Sequence, residues 1–98
     1  MPESESDQSN VRRATAKIVN KRGLHARASA KVVEAAARFQ SQVFLIKGDQ
    51  KVDAESILDL MMLGAPIGSE IGVETEGPDA DEALAAMLAL IEAKFGED

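Results

Sequence analysis

The sequence predicts an α+β fold, an open-faced β-sandwich in which helices cover one face of a four-stranded antiparallel sheet. The first observation is the order of hydrophobic periods along the chain, which is β-α-β-β-α-β-α. The second is that these strands are too few for two layers, whereas the helices are amphipathic enough to cover one sheet face. Right-handed crossovers in this split arrangement place the helices together and leave the other face open to solvent.

The first strand and the first helix are predicted on either side of a short connection. Residues 13–19 alternate, with Ala14, Ala16 and Ile18 on one face, which indicates a half-buried strand. Residues 26–39 contain neither glycine nor proline and predict the first helix. Its apolar stripe consists of Ala26, Ala30, Val33 and Ala37.

A hairpin and a short helix are predicted in the middle of the chain. Strands over residues 42–47 and 50–52 flank a two-residue Gly-Asp turn. The next helix begins at Ser56, because Ser56 and Asp59 match a Ser-x-x-Asp variant of the capping box. This helix ends near Gly64, where glycine is followed by alanine and proline.

The last strand and the last helix show the clearest periods. Residues 70–76 alternate, with Ile71, Val73 and Thr75 on one face, which predicts a strand that is wet on its other face. Residues 79–95 predict a helix with acidic residues in its first turn. Its apolar stripe is core by default and consists of Ala80, Leu84, Met87, Leu88, Ile91 and Phe95.

Length and composition limit the class of protein. The 98-residue chain predicts one domain over 11–98, preceded by a disordered acidic tail at residues 1–10. There is no cysteine and only one histidine, so disulfides and metal clusters are not expected, and no cofactor is predicted. No apolar run approaches the roughly 20 residues that span a bilayer, and the amino terminus does not resemble a secretory signal. A cytoplasmic protein without membrane insertion is therefore expected.

The single histidine lies where a helix is predicted to begin, in Gly23-Leu24-His25-Ala26-Arg27. Free N–H groups and the helix dipole at such a position favour an anion. Imidazole is also the side chain here best suited to act as a nucleophile near neutral pH. A nucleophile beside an anion site indicates phosphoryl chemistry. The alternative is a histidine that only caps the helix or packs against it.

Basic residues are concentrated around this histidine. The segment from Val11 to Val33 contains seven basic residues and no acidic one, although the whole chain carries a net charge of −6. Such a patch suits phosphate or an acidic partner. Nucleic acid is not expected, because the chain is acidic overall and none of its three phenylalanines lies in the basic segment to stack on a base.

Three segments together resemble a known family. They are Gly23-Leu24-His25-Ala26-Arg27, Ala54-Glu55-Ser56-Ile57-Leu58 and Gly68-Ser69-Glu70-Ile71. Their spacing and the order of elements resemble the histidine-containing phosphocarrier family, HPr, of the bacterial phosphoenolpyruvate-dependent phosphotransferase system. The resemblance extends from about Arg13 to Phe95.

The resemblance implies a role for each residue of the first segment. His25 would accept a phosphoryl group on Nδ1 from phospho-enzyme I, which is itself charged by phosphoenolpyruvate, and pass it to a downstream enzyme II A-type acceptor. Arg27 and the backbone N–H groups of Ala26 and Arg27 would hold the phosphoryl oxygens. The family commonly has proline where this chain has Ala28, a good helix former that keeps its hydrogen bond. A monomeric relay of this kind is not an independent enzyme.

The resemblance also implies regulation and a docking surface. Ser56 corresponds to a serine that a dedicated HPr kinase/phosphorylase modifies, although serine is also a preferred helix cap. Partner contacts are implied for Ala30 on the first helix and for Ile57, Leu58 and Met61 on the second, where a four-residue apolar run cannot all face inward. Two alternatives stay open, a regulatory protein of the nitrogen-related branch and an interaction domain in which His25 is never phosphorylated.

Overall fold

A computed structural model describes residues 10–97 of the chain. The observed order of elements is the predicted one, β-α-β-β-α-β-α, closed by a short 3₁₀ turn at Lys94–Gly96. The elements are β1 (Val11–Lys17), α1 (Ala26–Ala36), β2 (Gln42–Lys47), β3 (Gln50–Asp53), α2 (Ile57–Met62), β4 (Glu70–Glu76) and α3 (Ala80–Glu92). The predicted tail at residues 1–10 lies outside the described residues except for Asn10, whose carbonyl oxygen accepts a hydrogen bond from the Gly77 N–H at 3.1 Å.

The four strands form one antiparallel sheet in the order β1-β4-β2-β3. Val73 of β4 faces Ala14 of β1 on one side and Leu45 of β2 on the other. The core lies between one face of this sheet and the helices, so the predicted open-faced sandwich is confirmed. Its largest fully buried side chains include Ile18, Leu45, Leu60, Ile71, Met87, Ile91 and Phe95.

Helix α1 buries a different face from the predicted stripe. Ala28, Val32 and Ala36 are buried, whereas Ala26 and Ala30 are exposed. The prediction was wrong because alanine occupies five of the 11 positions of α1, so more than one stripe fits a helical period. The helix also ends at Ala36 rather than at residue 39.

Other predicted boundaries move by a few residues. Strand β1 begins and ends two residues earlier than the predicted span 13–19. Ala14 and Ala16 do lie on its more buried side, and Ile18, which directly follows the strand, is buried. Helix α3 begins one residue after Asp79 and ends at Glu92, three residues before the predicted end. With 13 residues it is the longest helix described, and no helix in this part of the chain is long and apolar enough to cross a bilayer.

The outer face of β4 is not wet along its whole length. The Glu74 side chain is only 5 % exposed, since β4 is a central strand and side chains of neighbouring strands cover it. Lys51 Nζ donates to Glu74 Oε2 at 2.8 Å, and Arg13 Nε donates to Glu74 Oε1 at 2.7 Å. The hydrogen bond from Lys51, assisted by Arg13, holds the pKa of Glu74 below its ordinary value against the opposing effect of burial.

Candidate functional site

His25 is the N-cap residue of α1. Its backbone is extended, with φ −81° and ψ −176°, and the first helical hydrogen bond runs from the Ser29 N–H to the His25 carbonyl at 2.8 Å. Its imidazole Nδ1 accepts a hydrogen bond from the Arg27 N–H at 3.2 Å. The Nδ1 lone pair therefore lies at the positive end of the helix dipole.

A glycine holds the loop that carries His25 against a neighbouring segment. Gly23 has φ +67°, and a Cβ at this position would lie 2.4 Å from the carbonyl oxygen of Ala65. The next residue donates its N–H to the same oxygen, from Leu24 N to Ala65 O at 3.0 Å. This close backbone approach requires glycine and places the histidine loop beside the chain that follows α2.

The opposite edge of the imidazole faces a carboxylate that sequence reasoning missed. His25 Nε2 is hydrogen bonded to Glu97 Oε2, and Asn20 Nδ2 donates to Glu97 Oε1 at 3.0 Å. Chiefly the Asn20 hydrogen bond, and then His25 and Arg22, hold the pKa of Glu97 below its ordinary value. Because an ionised carboxylate only accepts hydrogen bonds, Nε2 carries the ring proton and Nδ1 is left as the acceptor. The imidazole side chain is 16 % exposed.

Four of the seven predicted basic residues line one cleft beside the histidine loop. The cleft has a volume of about 440 Å³ and also contacts Phe95, Gly96 and Glu97. Its basic residues are Lys21, Arg22, Arg27 and Lys31. Arg12 and Arg13 instead bind acidic residues elsewhere, Asp81 and Glu74 respectively. The cluster of positive charge is therefore smaller than the sequence suggests, and it is local to the histidine.

Ser56 caps the amino end of α2. Its Oγ accepts a hydrogen bond from the Asp59 N–H at 3.2 Å, as the capping motif predicts. The second hydrogen bond of a capping box, from the cap residue's N–H to the side chain three residues later, does not form here, because the Ser56 N–H donates to the Asp53 carbonyl at 3.1 Å. Asp53, Glu55 and Asp59 are all exposed around it. The serine thus lies in an acidic surface at the start of the helix.

Helix α2 presents an apolar surface to solvent. Ile57, Leu58 and Met61 are 41 %, 66 % and 42 % exposed, whereas Leu60 is fully buried. Met62 and Ile67 are still more exposed than Ile57 and were not among the predicted contacts. Ile67 could have been recognised, since it lies in a glycine- and proline-containing loop where no regular element buries it. Ala30 is exposed on α1, which packs against α2.

Comparison with known proteins agrees with this fold. A family model described as "PTS HPr component phosphorylation site" matches residues 12–93. The Phosphocarrier protein HPr of Cupriavidus necator is 55 % identical over 80 residues, which are 82 % of this chain and 90 % of that protein. The Phosphocarrier protein NPr of Shewanella violacea is 44 % identical over 80 residues, which are 82 % of this chain and 88 % of that protein.

A solved structure gives the same result in three dimensions. The crystal structure of an HPr from Thermoanaerobacter tengcongensis matches with a TM-score of 0.84 at 44 % identity, over 89 % of this chain and 98 % of that chain. Sequence and backbone therefore agree over nearly the whole described range. The chain belongs to the HPr family of phosphocarrier proteins of the phosphotransferase system.

Proposed function

We propose that His25 is the residue that accepts the phosphoryl group, through Nδ1. The observation that carries the proposal is the opposite use of the two ring nitrogens. Nε2 holds a proton facing Glu97, while Nδ1 faces the Arg27 N–H at the start of α1. A nucleophilic nitrogen needs an available lone pair, and here that is Nδ1. His25 is also the one histidine of the chain, so no other imidazole competes for this role.

The transfer exchanges one phosphorus–nitrogen bond for another. The lone pair of His25 Nδ1 attacks phosphorus of the phosphohistidine in enzyme I, and the electron pair of the broken bond returns to the donor imidazole. Reversal of these roles passes the group to an enzyme II A-type acceptor. The carrier works as a monomer in the cytoplasm and needs neither a cofactor nor a substrate pocket, which separates it from an independent enzyme.

The start of α1 would hold the phosphoryl oxygens. In the unphosphorylated site the Arg27 N–H donates to Nδ1, and once phosphorus is bonded there the same N–H is close enough to donate to an oxygen. The Ala26 N–H lies in the same first turn, which contains no acidic residue. Arg27 lines the adjacent cleft, and a guanidinium supplies a planar fork that suits phosphate.

Intact-protein mass spectrometry tests the proposal. The chain is incubated with phosphoenolpyruvate and catalytic enzyme I, and wild type, His25→Ala and Ser56→Ala are compared. One acid-labile phosphoryl adduct is expected on wild type and on Ser56→Ala, and none on His25→Ala, because a phosphorus–nitrogen bond is acid-labile and a phosphoserine is not. An adduct on His25→Ala, or no adduct on wild type with active enzyme I, would refute it.

We further propose that Ser56 is a regulatory phosphorylation site for an HPr kinase/phosphorylase. A phosphate there would add charge beside Asp53, Glu55 and Asp59 and next to the exposed apolar surface of α2. Ser56→Asp and Ser56→Asn separate charge from capping, since both side chains cap helices well. Slower phosphoryl transfer from enzyme I is expected for aspartate alone, whereas equal rates would contradict the proposal.

The docking surface for these partners is proposed to combine α1 with α2. Its members are Ala30, Ile57, Leu58 and Met61, to which the structure adds Met62 and Ile67 as exposed neighbours in the chain. Exposed apolar side chains next to the histidine-bearing helix suit a partner that must cover His25 during transfer. Methionine adapts to several partner shapes, which fits a carrier with more than one partner.

The nitrogen-related branch is the second candidate for the physiological role. The observation behind it is the 44 % identity to a protein named NPr, whereas the higher identity of 55 % to a protein named HPr keeps the HPr role as the first candidate. Transfer rates from the sugar-branch enzyme I and from its nitrogen-branch counterpart, measured side by side, decide between the branches. We expect the sugar-branch donor to be faster, and the reverse order would assign the chain to nitrogen regulation.

A further inference from the structure

The carboxylate of Glu97 connects a buried asparagine to the histidine. We propose that Glu97 is a positioning residue, which keeps the proton of His25 on Nε2 and stabilises the positive charge that the ring acquires when Nδ1 is phosphorylated. This inference rests on the proposed role of His25. Glu97 lies 72 residues from His25 along the chain and outside the three segments that resemble the family.

Hydrogen bonds fix both oxygens of this carboxylate. Oε1 accepts from Asn20 Nδ2 at 3.0 Å, and Oε2 is bonded to His25 Nε2. Asn20 is fully buried, and its Nδ2 also donates to the Gly23 carbonyl at 2.8 Å. Two acceptors around Nδ2 determine the orientation of the amide, although Oδ1 then has no partner among the described residues. Through these two hydrogen bonds, Asn20 connects Glu97 to the loop that carries His25.

The three residues before Glu97 adopt an unusual backbone conformation. Lys94, Phe95 and Gly96 have φ values of 59°, 56° and 79°, and two of these are not glycine. L-residues adopt this left-handed region at a cost, and such residues occur at functional sites. The Phe95 side chain is 1 % exposed and anchors the turn in the core, and the Glu97 N–H donates to the Lys94 carbonyl at 2.9 Å.

The charges around the site are compatible with an anion on the other side of the ring. Glu97 faces Nε2, on the edge of the imidazole opposite to Nδ1, so it does not occupy the position of the phosphoryl group. The cleft beside it is lined by Lys21, Arg22, Arg27 and Lys31. Of these cations Arg22 adds to the hydrogen bonds from Asn20 and His25 in holding the pKa of Glu97 below its ordinary value. The positive charge of the cleft also offsets the repulsion between the carboxylate and a phosphate.

The proton on Nε2 matters in both halves of the relay. When Nδ1 bonds to phosphorus, the ring keeps its Nε2 proton and becomes cationic, and the Glu97 carboxylate balances that charge. When the group leaves, the electron pair returns to Nδ1 and a neutral imidazole is released. If Nε2 had lost its proton, the leaving group would be an imidazolate anion, which departs much less readily. Glu97 therefore supports transfer onward at least as much as transfer from enzyme I.

The test compares Glu97→Gln with wild type in the full chain. Glutamine replaces one of the two carboxylate oxygens by an NH₂ group, so in the geometry of Glu97 it presents a donor to either Asn20 Nδ2 or His25 Nε2. Glu92→Gln is the matched control, because it removes the same charge from the exposed end of α3. ¹⁵N chemical shifts of the His25 ring, recorded where the ring is neutral, report the tautomer. Rapid-quench kinetics report transfer to and from the carrier, and circular dichroism verifies the fold.

We expect wild type and Glu92→Gln to hold the Nε2–H tautomer. Glu97→Gln should give a mixture of tautomers and slower onward transfer by roughly 10- to 100-fold. This loss is smaller than that for a buried aspartate behind a catalytic histidine, because the Glu97 side chain is 18 % exposed. An unchanged tautomer, or an unchanged onward rate in a folded variant, would overturn the inference. Absence of phosphate on wild-type His25 would instead refute the proposed function, and the tautomer measurement does not depend on that result.

Discussion

Two leucines of α2, two positions apart, should respond in opposite ways to truncation. The Leu58 side chain is 66 % exposed, whereas Leu60 is fully buried. Complete burial of a leucine side chain contributes about 1.5–3 kcal/mol. Two-thirds of Leu58 remains available to a partner, so docking can gain about 1–2 kcal/mol from it. Leu58→Ala should therefore weaken binding to enzyme I by roughly 5- to 30-fold.

Truncation of Leu58 should hardly change the free energy of unfolding. Surface substitutions usually change stability by less than about 0.5 kcal/mol, and alanine is the better helix former. Leu60→Ala should instead destabilise the fold by about 2–5 kcal/mol, because it leaves a cavity in the core. The folded fraction of Leu60→Ala should bind enzyme I with an affinity close to wild type.

Isothermal titration calorimetry with enzyme I and urea unfolding measure these two effects on the same samples. The reasoning depends on exposed and buried apolar area having separate roles in α2. It fails if Leu58→Ala binds within twofold of wild type, which would move the docking surface away from this helix. It fails equally if Leu58→Ala costs as much stability as Leu60→Ala does.

Three further predictions concern the site and its support. Arg27→Lys keeps the charge but loses the planar fork, so stopped-flow transfer from enzyme I should slow by roughly tenfold, and a wild-type rate would remove Arg27 from the phosphate site. Gly23→Ala should destabilise the chain by more than about 1 kcal/mol in thermal unfolding, because its Cβ meets the Ala65 carbonyl oxygen at 2.4 Å; an unchanged midpoint would contradict the close approach. In the folded chain the pKa of Glu74 is below its ordinary value of 4.5. The ionised carboxylate therefore stabilises the fold fully above pH 4.5, and this stabilisation is lost as the pH falls through the lowered pKa. Between about pH 6 and about pH 3, the free energy of urea unfolding should fall less in Glu74→Gln than in wild type, and an equal fall in both would contradict this role of Glu74.

Local pattern was sufficient for most elements and for the place of the histidine. Strands β2 and β4 have the predicted bounds, and Ser56 caps α2 through the Asp59 N–H. His25 lies at the start of α1, where the motif predicts a helix to begin. Alternation, helical period and capping depend on residues within four positions of one another, so they are legible in a linear sequence. Helix ends were predicted less well, because packing decides where the last turn stops.

Only the tertiary structure decided which distant residues share a surface. The sheet order β1-β4-β2-β3 places Glu74 between Arg13 and Lys51 and buries it, although its strand alternates as if one face were wet. The turn after α3 brings Glu97 to His25, and no local period records a contact across 72 positions. In α1, alanine at five positions makes several faces equally apolar.

The sequence by itself determined the elements and the histidine at a helix start, because these depend on neighbouring residues. The chain had to fold before the carboxylate, the cationic cleft and the buried face of α1 were defined, because each depends on contacts between separate elements.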